Sequence, residues 1–177
     1  GITPALSDNM AKITLEAVKA AKDNGLTVSC DLNFRKKLWT SEKACAVMSD
    51  VLKHVDVCIA NEEDAKDVFG IEAENTDVES GKLNEEGYVS VAKQLTDRFG
   101  FKAVAITLRE SLSASDNNWS GMLYVANRAF FGKKYHMHIV DRVGGGDSFG
   151  AGLIYALTND FGAQDAIEFA VAASCLK

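Results

Sequence analysis

Nothing in this sequence builds a polyanion-binding surface. Its Lys and Arg form no long run, are outnumbered 25 to 19 by Asp and Glu, and leave a formal charge of −6 with a pI near 5.1. That balance argues against a nucleic-acid partner and for a small-molecule one. No apolar run approaches the roughly 20 residues of a membrane-spanning helix. No basic-then-apolar leader opens the chain either, so a soluble cytoplasmic protein without a membrane partner is expected. Cys30, Cys45, Cys58 and Cys175 lack CxxC spacing and sit among apolar neighbours, a pattern of reduced core thiols rather than disulfides or zinc ligands. Internal repeats and low-complexity linkers are also missing. With 177 residues and 47% hydrophobic content, a single domain over residues 1–177 is expected.

Two phosphate-binding signatures are absent as well. A Walker-type loop needs Gly-Lys-Ser or Gly-Lys-Thr, and the sequence has neither. A dinucleotide fold needs G-x-G-x-x-G after the first strand, but Phe149 stands where the third glycine belongs and the stretch lies near the end of the chain.

What is present is Gly144-Gly145-Gly146 running into Asp147-Ser148-Phe149-Gly150-Ala151-Gly152, a small-residue helical pattern. Glycines in series aim several backbone N–H groups at one point, and the first turn of the helix adds unpaired donors and its positive dipole end. The result is an anion hole with one carboxylate, Asp147, at its lip. A base beside an anion cradle points to group transfer to a hydroxyl. The same residues also match G-x-S-x-G, the nucleophile elbow of serine hydrolases, with Ser148 as nucleophile. That fold places its histidine after the serine, whereas His54, His136 and His138 all precede Ser148.

Along the chain, Ser7-Asp8 opens a helical pattern that closes at Asn24-Gly25. Residues 26–31 read as a buried strand whose end places Asp31, Asn33 and Arg35 on one side by the period of two. Thr40 or Ser41 caps a helix reaching His54; residues 55–60 form the next strand and lead into Asn61-Glu62-Glu63-Asp64, which opens a helix ended by Gly70. Residues 71–87, with Glu72, Glu74, Asp77, Glu79, Glu85 and Glu86, read as an acidic surface loop. A helix then ends at Gly100 and residues 101–108 form a third strand. Residues 111–120 look polar and turn-rich; 122–126 and 129–140 look like antiparallel strands joined near Asn127-Arg128. Helices over about 148–157 and from about 165 onward complete an α/β fold: a mainly parallel sheet with helices on both faces and a late antiparallel hairpin. His136 and His138 share a strand face without a third ligand at sensible spacing, and Trp39 and Trp119 are expected to serve packing.

The stretch Asp141-Arg142-Val143-Gly144-Gly145-Gly146-Asp147-Ser148-Phe149 resembles the D-T-x-G-A-G-D-x-F signature of the ribokinase family of carbohydrate kinases. Gly1-Ile2-Thr3-Pro4-Ala5-Leu6-Ser7, the segment from Asp31-Leu32-Asn33-Phe34-Arg35 to Trp39, and Asn61-Glu62-Glu63-Asp64 look like those of the 2-keto-3-deoxygluconate kinases. The resemblance implies a ribokinase-like fold and a cytoplasmic phosphotransferase of carbohydrate metabolism that binds ATP and Mg2+. Its expected partners are ATP and a small sugar acid, with a homo-oligomer of the intact protein left open.

Carried over by position, Asp147 is the base that takes the sugar hydroxyl proton, and the N–H groups of Gly144, Gly145 and Gly146 hold the transferred phosphoryl charge. Arg35 meets the substrate carboxylate with its planar fork, Asn33 lies in the same row, and Ile2 packs near the sugar. Asn61 and Asp64 resemble an N-x-x-E element that organises magnesium through its waters, here with an acid one methylene shorter. Thr107 and Arg109 fall on the nucleotide side, although the family usually has Gly at the position of Arg109. Arg142 and Gly145 stand where Thr and Ala are commoner.

The expected reaction is phosphorylation of 2-keto-3-deoxygluconate to its 6-phosphate. The alternatives are a kinase for a neutral sugar such as fructose or ribose, a serine esterase using Ser148, and a non-catalytic truncated binding module. Against the family pattern the chain reads as a fragment, a partial kinase domain without the amino-terminal strand lid and the extreme C-terminus that helps enclose the adenine.

Overall fold

The computed structural model describes residues 1–72, 85–141 and 143–177. Its helices begin and end where the local chemistry dictates. Following the short α1 (Ile2–Ala5), Ser7 accepts the Met10 N–H at 3.1 Å to cap α2 (Asp8–Asp23). After β1 (Ser29–Asp31), Thr40 caps α3 (Ser41–Leu52) through the Lys43 N–H. Strand β2 (Val57–Ala60) runs into Asn61, whose side-chain oxygen accepts the Asp64 N–H at 2.6 Å and starts α4 (Glu62–Phe69). Gly70 stops that helix at φ 66°, a left-handed conformation that costs glycine nothing.

Helix α5 (Glu85–Phe99) precedes β3 (Ala103–Ser111), then β4 (Asp116–Val125), β5 (Arg128–Phe131) and β6 (Tyr135–His138); α6 (Gly145–Thr158) and α7 (Ala163–Cys175) follow. The described strands form one six-stranded mixed sheet in the order β1-β2-β3-β4-β5, with β6 also paired to β4. β1, β2 and β3 are parallel, and every pairing from β3 to β4 onward is antiparallel.

Both faces of the sheet are covered, because alternate strand residues point opposite ways. Cys58, Ala60, Val104, Ile106 and Met122 pack with Met48 and Leu52 of α3, Ala65 of α4 and Leu95 of α5. Ile59, Ala105 and Leu123, one residue out of phase, pack on the other side with Phe149 and Leu153 of α6 and Ile167 and Val171 of α7. The small residues of α6 permit a close approach: a Cβ on Gly152 would lie 2.9 Å from that of Ala173 in α7.

Several boundaries differ from the sequence reading. The polar stretch 111–120 is mostly strand, since β3 extends to Ser111 and β4 starts at Asp116, joined by a short turn in which Leu112 and Ser113 donate their N–H groups to the Asp116 carbonyl. Side chains there are mixed in burial: Ser111 is exposed, whereas Asn117 and Ser120 are buried. The expected strand 129–140 is two strands, β5 and β6, which pair with opposite ends of β4. Between them the Gly132 N–H donates to the Gly121 carbonyl and Ser120 Oγ donates to the Gly132 carbonyl at 2.7 Å, holding the break. The acidic loop expected over 71–87 ends earlier, because Glu85 and Glu86 already form the first turn of α5. Its central acids Glu74, Asp77 and Glu79, like Arg142, lie outside the described residues.

Candidate active site

The carboxyl ends of β1, β2 and β3 open toward the N-terminus of α6, and together they enclose a cleft of about 740 Å³. Open α/β sheets place ligands at this edge, because strand ends and helix N-termini leave polar groups unpaired there. Ile2, Asn33, Arg35, Asn61, Asp64, Thr107, Arg109, Gly144, Gly146 and Asp147 all line the cleft. Gly145 does not; it lines an adjoining cavity of about 380 Å³, together with Arg109, Trp119, Asp141 and Gly146.

At the glycine stretch the structure makes Gly144 the cap of α6, with φ 86°. The first-turn amides therefore belong to Gly145, Gly146 and Asp147, while the Ser148 N–H is already taken by the Gly144 carbonyl at 2.8 Å. Asp141 braces the approach by accepting the Val143 N–H at 2.9 Å. Asp147 is exposed in the first turn of α6, where the helix dipole favours a carboxylate.

On the opposite wall, the chain leaving β1 is held by two carboxylates. Asp31 accepts the Asn33 N–H at 3.1 Å, which fixes the turn in which Asn33 takes φ 33°. Asp64 accepts the next amide, that of Phe34, at 3.0 Å. Arg35 follows, exposed on the cleft wall. Burial pushes both carboxyls up from the ordinary value: Asp31 is raised despite its bond to Asn33, and Asp64 rises to about 6 because burial and the charge of Asp31 outweigh the Phe34 hydrogen bond.

Asp31, Glu63, Ser111, Trp119 and Val143 also line the cleft and were not among the expected site residues. The signal for Asp31 was available, since it shares a strand-end row with Asn33 and Arg35. The others approach only through the fold.

The charged and polar side chains at this edge offer mainly oxygens and the two guanidiniums of Arg35 and Arg109, with neither Cys nor His, which suits a hard cation and phosphate rather than zinc. No group of three or more His, Cys, Asp or Glu among the described residues converges on one metal position. The esterase alternative finds no support: no histidine lines the cleft, nor does Ser148. His136 and His138 instead approach Asn118 at 3.2 Å and Asp116 at 2.8 Å through Nδ1. Trp39 is a buried packing residue, whereas Trp119, which lines both the cleft and the adjoining cavity, donates its Nε1–H to Ser174 Oγ at 2.6 Å.

The profile of the pfkB family carbohydrate kinases matches residues 1–177. A 2-dehydro-3-deoxygalactonokinase from Haloferax volcanii is 27% identical over 177 residues, covering 100% of this chain and 49% of that protein. The crystal structure of a 2-dehydro-3-deoxygluconokinase from Thermotoga maritima is 48% identical with a TM-score of 0.92, covering 99% of this chain and 51% of the other. A putative ribokinase II from E. coli, solved with ATP and Mg2+, is 22% identical with a TM-score of 0.66 over 97% of this chain and 48% of its own, a likeness of fold alone. The chain spans about half the length of the relatives it matches.

Proposed function

The chain belongs to the pfkB family of carbohydrate kinases, and from that premise we propose that the intact protein phosphorylates the 6-hydroxyl of a 2-keto-3-deoxy sugar acid, 2-keto-3-deoxygluconate, with ATP and Mg2+. The observation that carries the reading is the shared cleft: a guanidinium, Arg35, lines the same cavity as a carboxylate, Asp147, seated in the first turn of a helix. A neutral sugar does not require the guanidinium; a sugar acid has a carboxylate that its planar fork matches.

In this reading Arg35 binds the substrate carboxylate and Asn33 and Ile2 fix the sugar beside it. Asp147 takes the proton of the reacting hydroxyl. The glycine-rich turn and the first-turn amides of α6 hold the negative charge that builds on the transferred group, with Thr107 and Arg109 on the nucleotide side and Asn61 and Asp64 acting on magnesium through water. MgATP supplies the phosphoryl group and neutralises its charge when bound. Proximity and electrostatics then suffice, because phosphoryl transfer asks little covalent chemistry of the protein. No helix among the described residues is long and apolar enough to cross a membrane, and the same reading sets the enzyme in the cytoplasm, where its nucleotide is.

Assaying the intact protein with MgATP on 2-keto-3-deoxygluconate, 2-keto-3-deoxygalactonate, fructose, ribose and adenosine tests it. The sugar acids are expected to be preferred by kcat/KM; preference for a neutral acceptor overturns the sugar-acid assignment.

A further inference from the structure

We propose that Asp64 is a positioning residue for the sugar-acid wall of the cleft, tying the Asn33–Arg35 turn to the phosphate-side helix α4 through the Phe34 amide. The inference rests on the kinase reading above and assigns Asp64 a task separate from magnesium.

An acid at the third position of a helix often turns back to its own N-cap amide. Asp64 holds this position in α4, yet its Oδ1 accepts the Phe34 N–H at 3.0 Å, across 30 residues of sequence. Its own N–H is held by Asn61 Oδ1 at 2.6 Å. An unbroken relay therefore runs from the Asn61 cap through Asp64 to the residue preceding Arg35. Asp64 and Phe34 are both 7% exposed, so water does not readily replace that bond. Asp31 grips the neighbouring Asn33 amide at 3.1 Å, and the Leu38 N–H closes onto the Arg35 carbonyl at 2.8 Å. The turn that presents Arg35 is thus anchored at its start by two carboxylates, one ending β1 and one in the first turn of α4, and any shift at the N-terminus of α4 is passed to the guanidinium.

The test separates tether from metal by omitting the metal. In the intact protein, the affinity for 2-keto-3-deoxygluconate is measured calorimetrically without magnesium or nucleotide, alongside hydrogen exchange at the Phe34 amide. Asp64→Ala removes the acceptor and is expected to weaken sugar-acid binding roughly tenfold and to speed Phe34 exchange. Asp64→Asn keeps an acceptor oxygen at the same reach, so both readouts are expected to stay within about threefold of the parent while magnesium-dependent turnover falls. Unchanged metal-free affinity and unchanged Phe34 exchange in Asp64→Ala overturn the proposal, as does an Asn variant that fails like Ala. If the parent binds no sugar acid, the substrate reading fails, and Phe34 exchange alone decides the tether. If Asp64→Ala does not fold, Phe34 exchange in the parent decides: protection well above that of Lys36 and Lys37 supports the tether, and equal exchange overturns it.

Discussion

Gly121 in β4 and Phe149 in α6 meet so closely that a Cβ on the glycine would stand 2.8 Å from Cε2 of the ring. Phe149 is fully buried and lies two residues after Asp147, so this contact seats the helix that carries the carboxylate on the sheet. A Cβ there would also come within 3.1 Å of Ile167 in α7. Gly121→Ala is expected to cost about 1–3 kcal/mol through overpacking. Urea denaturation should show the loss, and Phe149→Leu in the same background should recover part of it, as contacting residues couple.

Asp147→Asn keeps the shape of the first turn of α6 and removes the base. If Asp147 takes the hydroxyl proton, kcat falls about 10²- to 10⁴-fold while nucleotide affinity stays near that of the parent. Stopped turnover assays and nucleotide titration check both halves; a parent-like kcat removes Asp147 from the mechanism. Loss of turnover through Ser148→Ala alone would revive the esterase reading.

Arg35→Ala should raise KM for the sugar acid about 10- to 100-fold, the scale of a charge-assisted hydrogen bond lost. Arg35→Lys should recover only part, since an ammonium has no planar fork. A neutral sugar used as a poor substrate should be indifferent to both changes. Equal losses for acid and neutral substrates would mean that Arg35 supports the wall rather than reads the carboxylate.

The pH dependence of stability should carry the signature of Asp56. Burial alone would push this carboxyl up, but bonds from Lys22 at 2.7 and 2.8 Å, the Val28 N–H at 2.9 Å and Lys102 at 3.0 Å outweigh it and bring it from 3.8 down to about 2. A depressed carboxyl stabilises the fold above its unfolded value, and that contribution, about 2 kcal/mol, disappears as the pH falls from about 4 to about 2. Asp64 works in the opposite sense: with its value raised from 3.8 to about 6, the folded state holds its proton more tightly, so its contribution declines as pH rises through that window. Urea midpoints between pH 2 and 7 should show the acid loss in the parent and a flatter limb in Asp56→Asn. An unchanged limb would mean that Lys22 and Lys102 do not stabilise the Asp56 charge.

Much of the architecture was legible because its signals are local. Ser7, Thr40 and Asn61 cap helices where their types predicted, and Asn24-Gly25, Gly70 and Gly100 end them. The hairpin near Asn127-Arg128 is real, with Val125 paired to Arg128 around Ala126 and Asn127 at φ 50° and 59°. The polar end of β4 was not legible, because Asp116, Asn117 and Asn118 carry no apolar alternation; their partners, Ser111 in β3 and the residues of β6, make them a strand. Similarly, the short N-cap motif at Asn61 has two readings from sequence. In the structure the cap is made and the residue also lines the cleft, so forming the cap does not remove it from the candidate site.

From the sequence by itself came the limits of the capped early helices, the parallel beginning and antiparallel end of the sheet, and the residue types at each strand end, since caps, left-handed glycines and side-chain periodicity act over a few neighbouring residues. Only the tertiary structure decided which of those strand ends face one another. Strand order and register bring Arg35, Asn61, Arg109 and Asp147 to one cleft, turn Asp64 toward Phe34 instead of its own helix, and press Phe149 onto Gly121. Those encounters join residues far apart along the chain, and their geometry is set by how the two buried faces of the sheet pack.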